Sequence, residues 1–355
     1  MNDKILTRMG DGERLWLTPS EVREDIKEGT IDASKRGNIP ELTVDEQDQM
    51  FEIIADPSRI VSVKPGNEVI VSDDGCSMAF YSGQDGGGVG APLSRMQAAL
   101  TYERACGADT ISLGNSDYSY KPVKSIINIE ANEYYNISMS STVPFFYGAQ
   151  PNMGLYFQPD GPCPNAAELL PLGKIKEARE AQEMAADYLT EDLVFVAERL
   201  AEVGLEGLNF DTAGSAGDAD FLAALRAVEQ IKAKIPDLPI LMGGSAEFVI
   251  GMHGELMYDG KKIAGMYTHE QAQAVEKAGA DIFGMAVNSV TTESVQWNLA
   301  RAATFLKATT EAVSIPVHAN VGMGVCGIPM MEQPPIDSVT RVSKALVEIG
   351  MADGL

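Results

Sequence analysis

Gly204-Leu205-Glu206-Gly207-Leu208-Asn209-Phe210-Asp211 and Gly279-Ala280-Asp281-Ile282-Phe283-Gly284-Met285 are the stretches whose reading decides the fold. Each sets a glycine after an amphipathic segment, then a small or acidic residue, then a short apolar run, a pattern that closes a helix and opens a strand. Gly107-Ala108-Asp109-Thr110-Ile111-Ser112-Leu113 repeats it. Working outward, further strands are predicted at Val143 to Tyr147, Pro239 to Met242 and Pro316 to Asn320. Helices are predicted near 123–141, 174–203, 217–235, 269–278, 292–313 and 336–349. Strands alternating with helices over residues 93–355 build a parallel sheet with right-handed crossovers. Six or more such units without a glycine-rich nucleotide turn favour an α/β fold of the (β/α)8 TIM-barrel type over an open doubly wound sheet.

Residues 1–92 read as an N-terminal extension. Thr18-Pro19-Ser20-Glu21 and Thr43-Val44-Asp45-Glu46 each pair a capping hydroxyl with first-turn acids and predict helix starts. Ile60 to Val71 is β-branched and broken by Pro65-Gly66, which predicts a hairpin or two edge strands. The run GQDGGGVG from Gly83 to Gly90 lacks the Gly-Lys-Ser/Thr ending of a phosphate loop and reads as a plain loop. At the other end, Gly350-Met351-Ala352-Asp353-Gly354-Leu355 repeats the strand-opening junction. The chain therefore stops as a seventh strand begins, and a barrel without its last two strands would leave open edges. The expectation is that the functional polypeptide runs past residue 355.

Composition removes whole classes of function. Among 355 residues, 27 Lys and Arg stand against 51 Asp and Glu, a formal charge of −24 that repels phosphate backbones and anionic lipid, so neither nucleic acid nor a membrane is expected as a partner. No stretch of 18 apolar residues and no apolar leader before a small-residue cleavage site appears, which predicts a cytoplasmic location. The four cysteines show no Cys-x-x-Cys spacing and the three histidines no i, i+4 pair, so no protein-held metal is expected.

In such barrels the reactive groups lie at the carboxyl ends of the strands. Asn115, Asp117 and Tyr118 follow the first strand, Tyr147, Gln150 and Asn152 the second, and Asp211 and Thr212 the third. Ser245 and Glu247, then Asn288, then His318 and Asn320 follow the later ones. Asp211 and Glu247 are candidates to bind a cationic amine or to act as acid and base, because burial moves carboxylates toward working pH. Asp211 can equally cap the next helix. His318, if it faces the barrel interior, can carry a proton, or it can be a satisfied core imidazole. His253, between glycines, can shape a lid or turn its loop. The stretch from Gly322 to Met331 offers adaptable thioethers for a bulky flat partner, or packing.

Longer strings carry a resemblance. Glu103-Arg104-Ala105-Cys106-Gly107-Ala108-Asp109-Thr110, Asp117-Tyr118-Ser119-Tyr120-Lys121-Pro122-Val123-Lys124, Phe146-Tyr147-Gly148-Ala149-Gln150-Pro151-Asn152-Met153-Gly154-Leu155-Tyr156 and Trp297-Asn298-Leu299-Ala300-Arg301-Ala302 resemble, in order, the dimethylamine:corrinoid protein methyltransferases of methanogens. Asn209-Phe210-Asp211-Thr212, Gly217-Asp218-Ala219-Asp220-Phe221 and Gly322-Met323-Gly324-Val325 extend the likeness over nearly the whole chain. The resemblance implies transfer of a methyl group from dimethylamine to the Co(I) corrinoid of a separate corrinoid protein. It implies a barrel mouth open to that partner and no corrinoid bound by this chain. It also implies pyrrolysine, read from an in-frame amber codon, directly after a segment like Asp353-Gly354-Leu355, and hence an inactive product if translation stops there. In that family the pyrrolysine imine takes up the amine and presents one methyl to cobalt. The site residues carried into this reading are Asp211, Glu247 and His318 as catalytic groups and Asn115, Tyr118, Tyr147, Asn152 and Asn320 as substrate contacts. Two alternatives stand beside it: a relative acting on another small methylated amine, and a non-catalytic module that binds the corrinoid protein. Oligomeric state is left open.

Overall fold

The computed structural model describes residues 4–70, 79–81, 90–92, 124–126, 153–202, 204, 207–210, 217–244, 247–251, 254–322, 324–331 and 334–355. Its first element is an antiparallel hairpin, β1 (Ile5–Arg8) with β2 (Arg14–Leu17). Gly12 makes its turn at φ +93°, a conformation that costs glycine little. Two helices follow, α1 (Pro19–Gly37) and α2 (Val44–Ala55), and both start as the sequence predicts. Thr18 and Thr43 accept from the amides of Glu21 and Glu46, whose carboxylates return to the cap backbone, so each forms a complete capping box.

Residues 60–70 differ from expectation. No hairpin forms there; Pro65-Gly66 makes a single turn, with the Asn67 amide on the Lys64 carbonyl at 2.9 Å. Side chains of the last helix take the backbone bonds that a strand partner would have satisfied: Glu348 accepts the Lys64 amide and Lys344 donates to the Ser62 carbonyl. The antiparallel pair lies later instead, β3 (Ala79–Tyr81) with β4 (Gly90–Pro92).

The central sheet has the order β11-β10-β7-β6-β5, where β5 is Lys124–Ile126, β6 Gly207–Phe210, β7 Ile240–Gly243, β10 Ile282–Met285 and β11 Val317–Ala319. A short hairpin, β8 (Met257–Tyr258) with β9 (Lys261–Lys262), interrupts the loop after β7. The four strands from β6 to β11 run parallel, each followed by a helix: α4 (Asp218–Lys234), α5 (Thr268–Ala278), α6 (Val295–Ala312) and α7 (Ile336–Glu348), with α3 (Ile175–Glu202) ahead of β6. These helices lie where the periodicity puts them. The expected helix over 123–141 is corrected at its start, where β5 pairs antiparallel with β6 and satisfies that strand's free edge. The predicted strands at Thr110 to Leu113 and Val143 to Tyr147 fall outside the described residues.

A repeated clamp sets the spacing of the parallel strands. The Asp281 amide donates to the Ile240 carbonyl at 2.8 Å while its carboxylate accepts the Ile240 amide at 2.7 Å. Asp353 does the same to Val317, at 3.0 and 2.8 Å. Both strands that receive the clamp begin just after a proline, and the Asp carboxylate takes the first free amide. Beyond Asp353, Gly354 bridges in parallel to His318, and the Leu355 amide donates to Ile70. The chain's last residues thus lie along β11 as the next parallel segment.

Alternation along the strands separates two faces. On one, Phe210, Met242, Phe283 and Val317 stand in register across all four strands, fully buried under the helices. The same core includes Val22 and Ile26 of α1, which packs along α6. Contact there is close: a β-carbon on Gly29 would lie 2.2 Å from the Trp297 carbonyl oxygen.

Candidate functional site

The opposite face of the sheet carries Asn209, Leu241 and Ile282 in one register row and Gly243, Gly284 and His318 in the next, all partly open. Two adjacent glycines leave that row without side chains beside the imidazole. A β-carbon on Gly284 would meet the Gly243 α-carbon at 3.3 Å and Leu241 at 3.4 Å, so even alanine would crowd this floor. His318 is bounded on its other side by Gly354, where a β-carbon would lie 3.2 Å from its ring. One row toward the amino ends, the Asn209 side-chain oxygen is buried with no hydrogen-bond partner among the described residues. An orphaned acceptor in a half-open face costs stability unless something else donates to it.

At the carboxyl end of β7, Glu247 is 8% exposed and its carboxylate pairs with the Arg301 guanidinium of α6. Arg301 is itself 3% exposed and donates through Nε to Asp32 of α1 at 2.8 Å and through Nη1 to the Asn288 carbonyl at 3.3 Å. Burial pushes the Arg301 guanidinium down, and the Asp32 bond and charge hold it up. Asp32 in turn accepts from Arg36, one helical turn on, at 2.9 Å. The second oxygen of Glu247, Oε1, is buried and has no hydrogen-bond partner among the described residues.

The loops after β10 and β11 are tied into one wall. Ser289 donates its amide to Gly324 and its side chain accepts the Gly327 amide, at 2.8 and 3.0 Å, while Cys326 donates to Val287 at 2.7 Å. Cys326 adopts φ +53° and burial pushes its thiol up to about 12, so it packs as an inert group. Met330 donates its amide to Gly10 at 2.7 Å, fastening the wall to the N-terminal turn. Of the residues offered for a flat partner, Val325, Cys326 and Ile328 are buried and Met330 is 40% exposed.

The predicted site residues therefore divide. His318 stands on the open face, Asn320 follows it with its amide on the Met285 carbonyl at 2.9 Å, and Glu247 sits in the ion pair behind the β7 loop. Asp211, Asn115, Tyr118, Tyr147 and Asn152 lie outside the described residues, as does His253. Sequence reasoning missed Asn209 and Arg301 as site groups. Asn209 could have been found from its alternation with the buried Leu208 and Phe210; Arg301 shows nothing locally, since its partners are 269 and 54 residues away. Among the described residues no three His, Cys, Asp or Glu side chains gather to hold a metal ion, and no helix is long and apolar enough to cross a membrane.

Polar groups at the strand ends and a glycine-floored face lie where a parallel α/β frame carries small-molecule chemistry when it has any. No solved structure matches the chain. A family model described as dimethylamine methyltransferase matches residues 3–355, and the chain belongs to that family. It is a methyltransferase.

Proposed function

We propose that the protein moves one methyl group from dimethylamine to the Co(I) corrinoid of a separate corrinoid protein, on a (β/α)8 frame. Membership in the dimethylamine methyltransferase family carries this reading. Gly354 set in parallel beside His318, with its Asp353 clamp, supports the barrel. In the reaction the methyl carbon–nitrogen bond of the protonated amine breaks, its electron pair leaves with nitrogen as neutral methylamine, and the cobalt electron pair forms the new bond to carbon. The corrinoid protein is a second substrate, docked at the carboxyl ends of the strands.

This chain's residues bind, orient and exclude water. The Gly243–Gly284 floor admits a small amine, Asn209 offers an acceptor to its N–H, and His318 holds or passes a proton beside it. Positioning of this kind supplies a large part of the barrier reduction when two reactants must meet in one geometry. Asp211 is proposed as a further catalytic group, and Asn115, Tyr118, Tyr147, Asn152 and Asn320 as substrate contacts, from the strand ends to which the sequence pattern assigns them. The test supplies monomethylamine, dimethylamine and trimethylamine in turn, with reduced corrinoid protein, to the enzyme purified from the cells that make it, and follows loss of the Co(I) spectrum. Loss with dimethylamine alone supports the reading; preference for another amine, or none, overturns it.

A further inference from the structure

We infer that the N-terminal hairpin of β1 and β2 is a docking element for the corrinoid protein, gripping it through the cross-strand pair Leu6–Trp16 and the cations beside that pair. The inference rests on the functional reading above for the existence of this partner. Leu6 and Trp16 stand directly opposite each other in the hairpin register, so their side chains share one face. They are 39% and 56% exposed. Thr7, turned to the other face, is buried and donates to Gln296 of α6 at 2.6 Å. Lone exposed apolar residues are ordinary on any protein. An outward-facing pair containing tryptophan is the kind of surface that a partner buries, because tryptophan dominates the centres of protein interfaces.

The position of the hairpin selects the partner. The Gly10 amide donates to the Glu293 carbonyl and the Gly10 carbonyl accepts the Met330 amide, both at 2.7 Å. Met9 bridges antiparallel to Ser294, and Arg8 pairs with Asp337 at 3.0 Å. All four of these anchor residues follow the carboxyl ends of β10 and β11, in the loops or at the starts of the next helices. The hairpin is thus moored to the rim where cobalt must come within bonding distance of the methyl carbon. At the same rim Met330 and Ile336 add side chains 40% and 45% exposed. Charge agrees with this occupant. In a chain of formal charge −24, Lys4 and Arg14 beside the Leu6–Trp16 pair are exposed cations, while the acids Asp11 and Glu13 sit at the turn, where the Asp11 carboxylate accepts the Glu13 amide at 2.9 Å. A second copy would bring an acidic surface of the same composition but no cobalt. A corrinoid protein with an apolar patch rimmed by carboxylates meets both the tryptophan and the cations, and such rim charges speed encounter.

The test is calorimetric titration of corrinoid protein, in its Co(II) state and without amine, into the wild type, Trp16→Ala, Trp16→Phe, Arg14→Glu and Phe195→Ala. All are purified from the cells that make the protein and checked for their unfolding midpoints. Phe195 is the matched control: it is also 56% exposed, but near the end of α3 that leads to the amino end of β6. Trp16→Ala should raise the dissociation constant about tenfold or more, Trp16→Phe should return part of the affinity, and Phe195→Ala should leave it alone. Arg14→Glu should slow association severalfold at low salt in stopped flow, with the difference fading at about 0.5 M salt. Trp16→Ala binding the corrinoid protein as tightly as the wild type overturns the inference. A dimer that Trp16→Ala dissociates, with that affinity unchanged, gives the face to a second copy and overturns it too. The two readings fail separately. Free Co(I) cobalamin needs no docking surface, so Trp16→Ala should methylate it from dimethylamine as the wild type does; loss of that reaction also overturns a docking role. Corrinoid-protein binding that weakens in Trp16→Ala, with no transfer from dimethylamine to either acceptor, supports the docking face and sinks the function. Transfer with undiminished binding in Trp16→Ala sinks the docking face and leaves the function standing.

Discussion

Replacing Gly29 with alanine should destabilise the protein, although alanine is the better helix former. In an isolated helix interior the change gains about 1 kcal/mol. Here the new β-carbon would lie 2.2 Å from the Trp297 carbonyl oxygen and 3.1 Å from the Ala300 β-carbon. Carbon and oxygen approach to about 3.3 Å, so α1 must move away from α6 by about 1 Å. Asp32 is three residues on and shares that face. Its 2.8 Å bond to Arg301 would open to about 3.8 Å, past hydrogen-bond range. Overpacking of this kind costs about 1–3 kcal/mol and a charge-assisted bond about 1.5–3 kcal/mol, so the net loss is about 1.5–5 kcal/mol after the helix gain. Urea unfolding of the wild type, Gly29→Ala, Asp32→Asn and the double variant measures it. The double variant should lose less than the two singles together, because both break the same bond. A Gly29→Ala protein more stable than the wild type would refute the close contact.

Arg301→Met should cost about 3–5 kcal/mol by leaving buried Glu247 uncompensated, and adding Glu247→Gln should return part of it in the same urea titration. Thr43→Ala should lower stability by about 1 kcal/mol through loss of its capping bond to Glu46, read from the unfolding midpoint. Burial lowers the His269 pKa, so below about pH 6.5 the unfolded chain takes up a proton that the folded one resists. That contribution is intact above this pH and declines as pH falls toward the folded value. His269→Gln should flatten the decline in midpoints measured at several pH values between about 7.5 and 5.5.

The elements legible in the sequence are those whose signals are local. Thr18 and Thr43 announce their helices through the acids three residues on, and the glycine–acid junctions locate β6 and β10 because helix end and strand start are adjacent in the chain. The hairpin of β1 and β2 escaped notice since Ile5 to Arg8 and Arg14 to Leu17 are short and mixed in polarity; Gly10-Asp11-Gly12 was the available turn signal. Residues 60–70 carry strand-like composition, but side chains of α7 take their backbone groups, a partner no window of that sequence contains. The site divides in the same way. His318 and Glu247 could be named from their places after strands, whereas the Asp32–Arg301–Glu247 series joins three distant parts of the chain and exists only in the folded protein.

The most direct test of the central claim is a single-turnover reaction of protein purified from the cells that make it with dimethylamine and Co(I) corrinoid protein, quantifying methylamine by mass spectrometry. One methylamine released for each cobalt methylated is the expected result. Methylated cobalt without methylamine, or no reaction with dimethylamine while another methylated amine reacts, would contradict it.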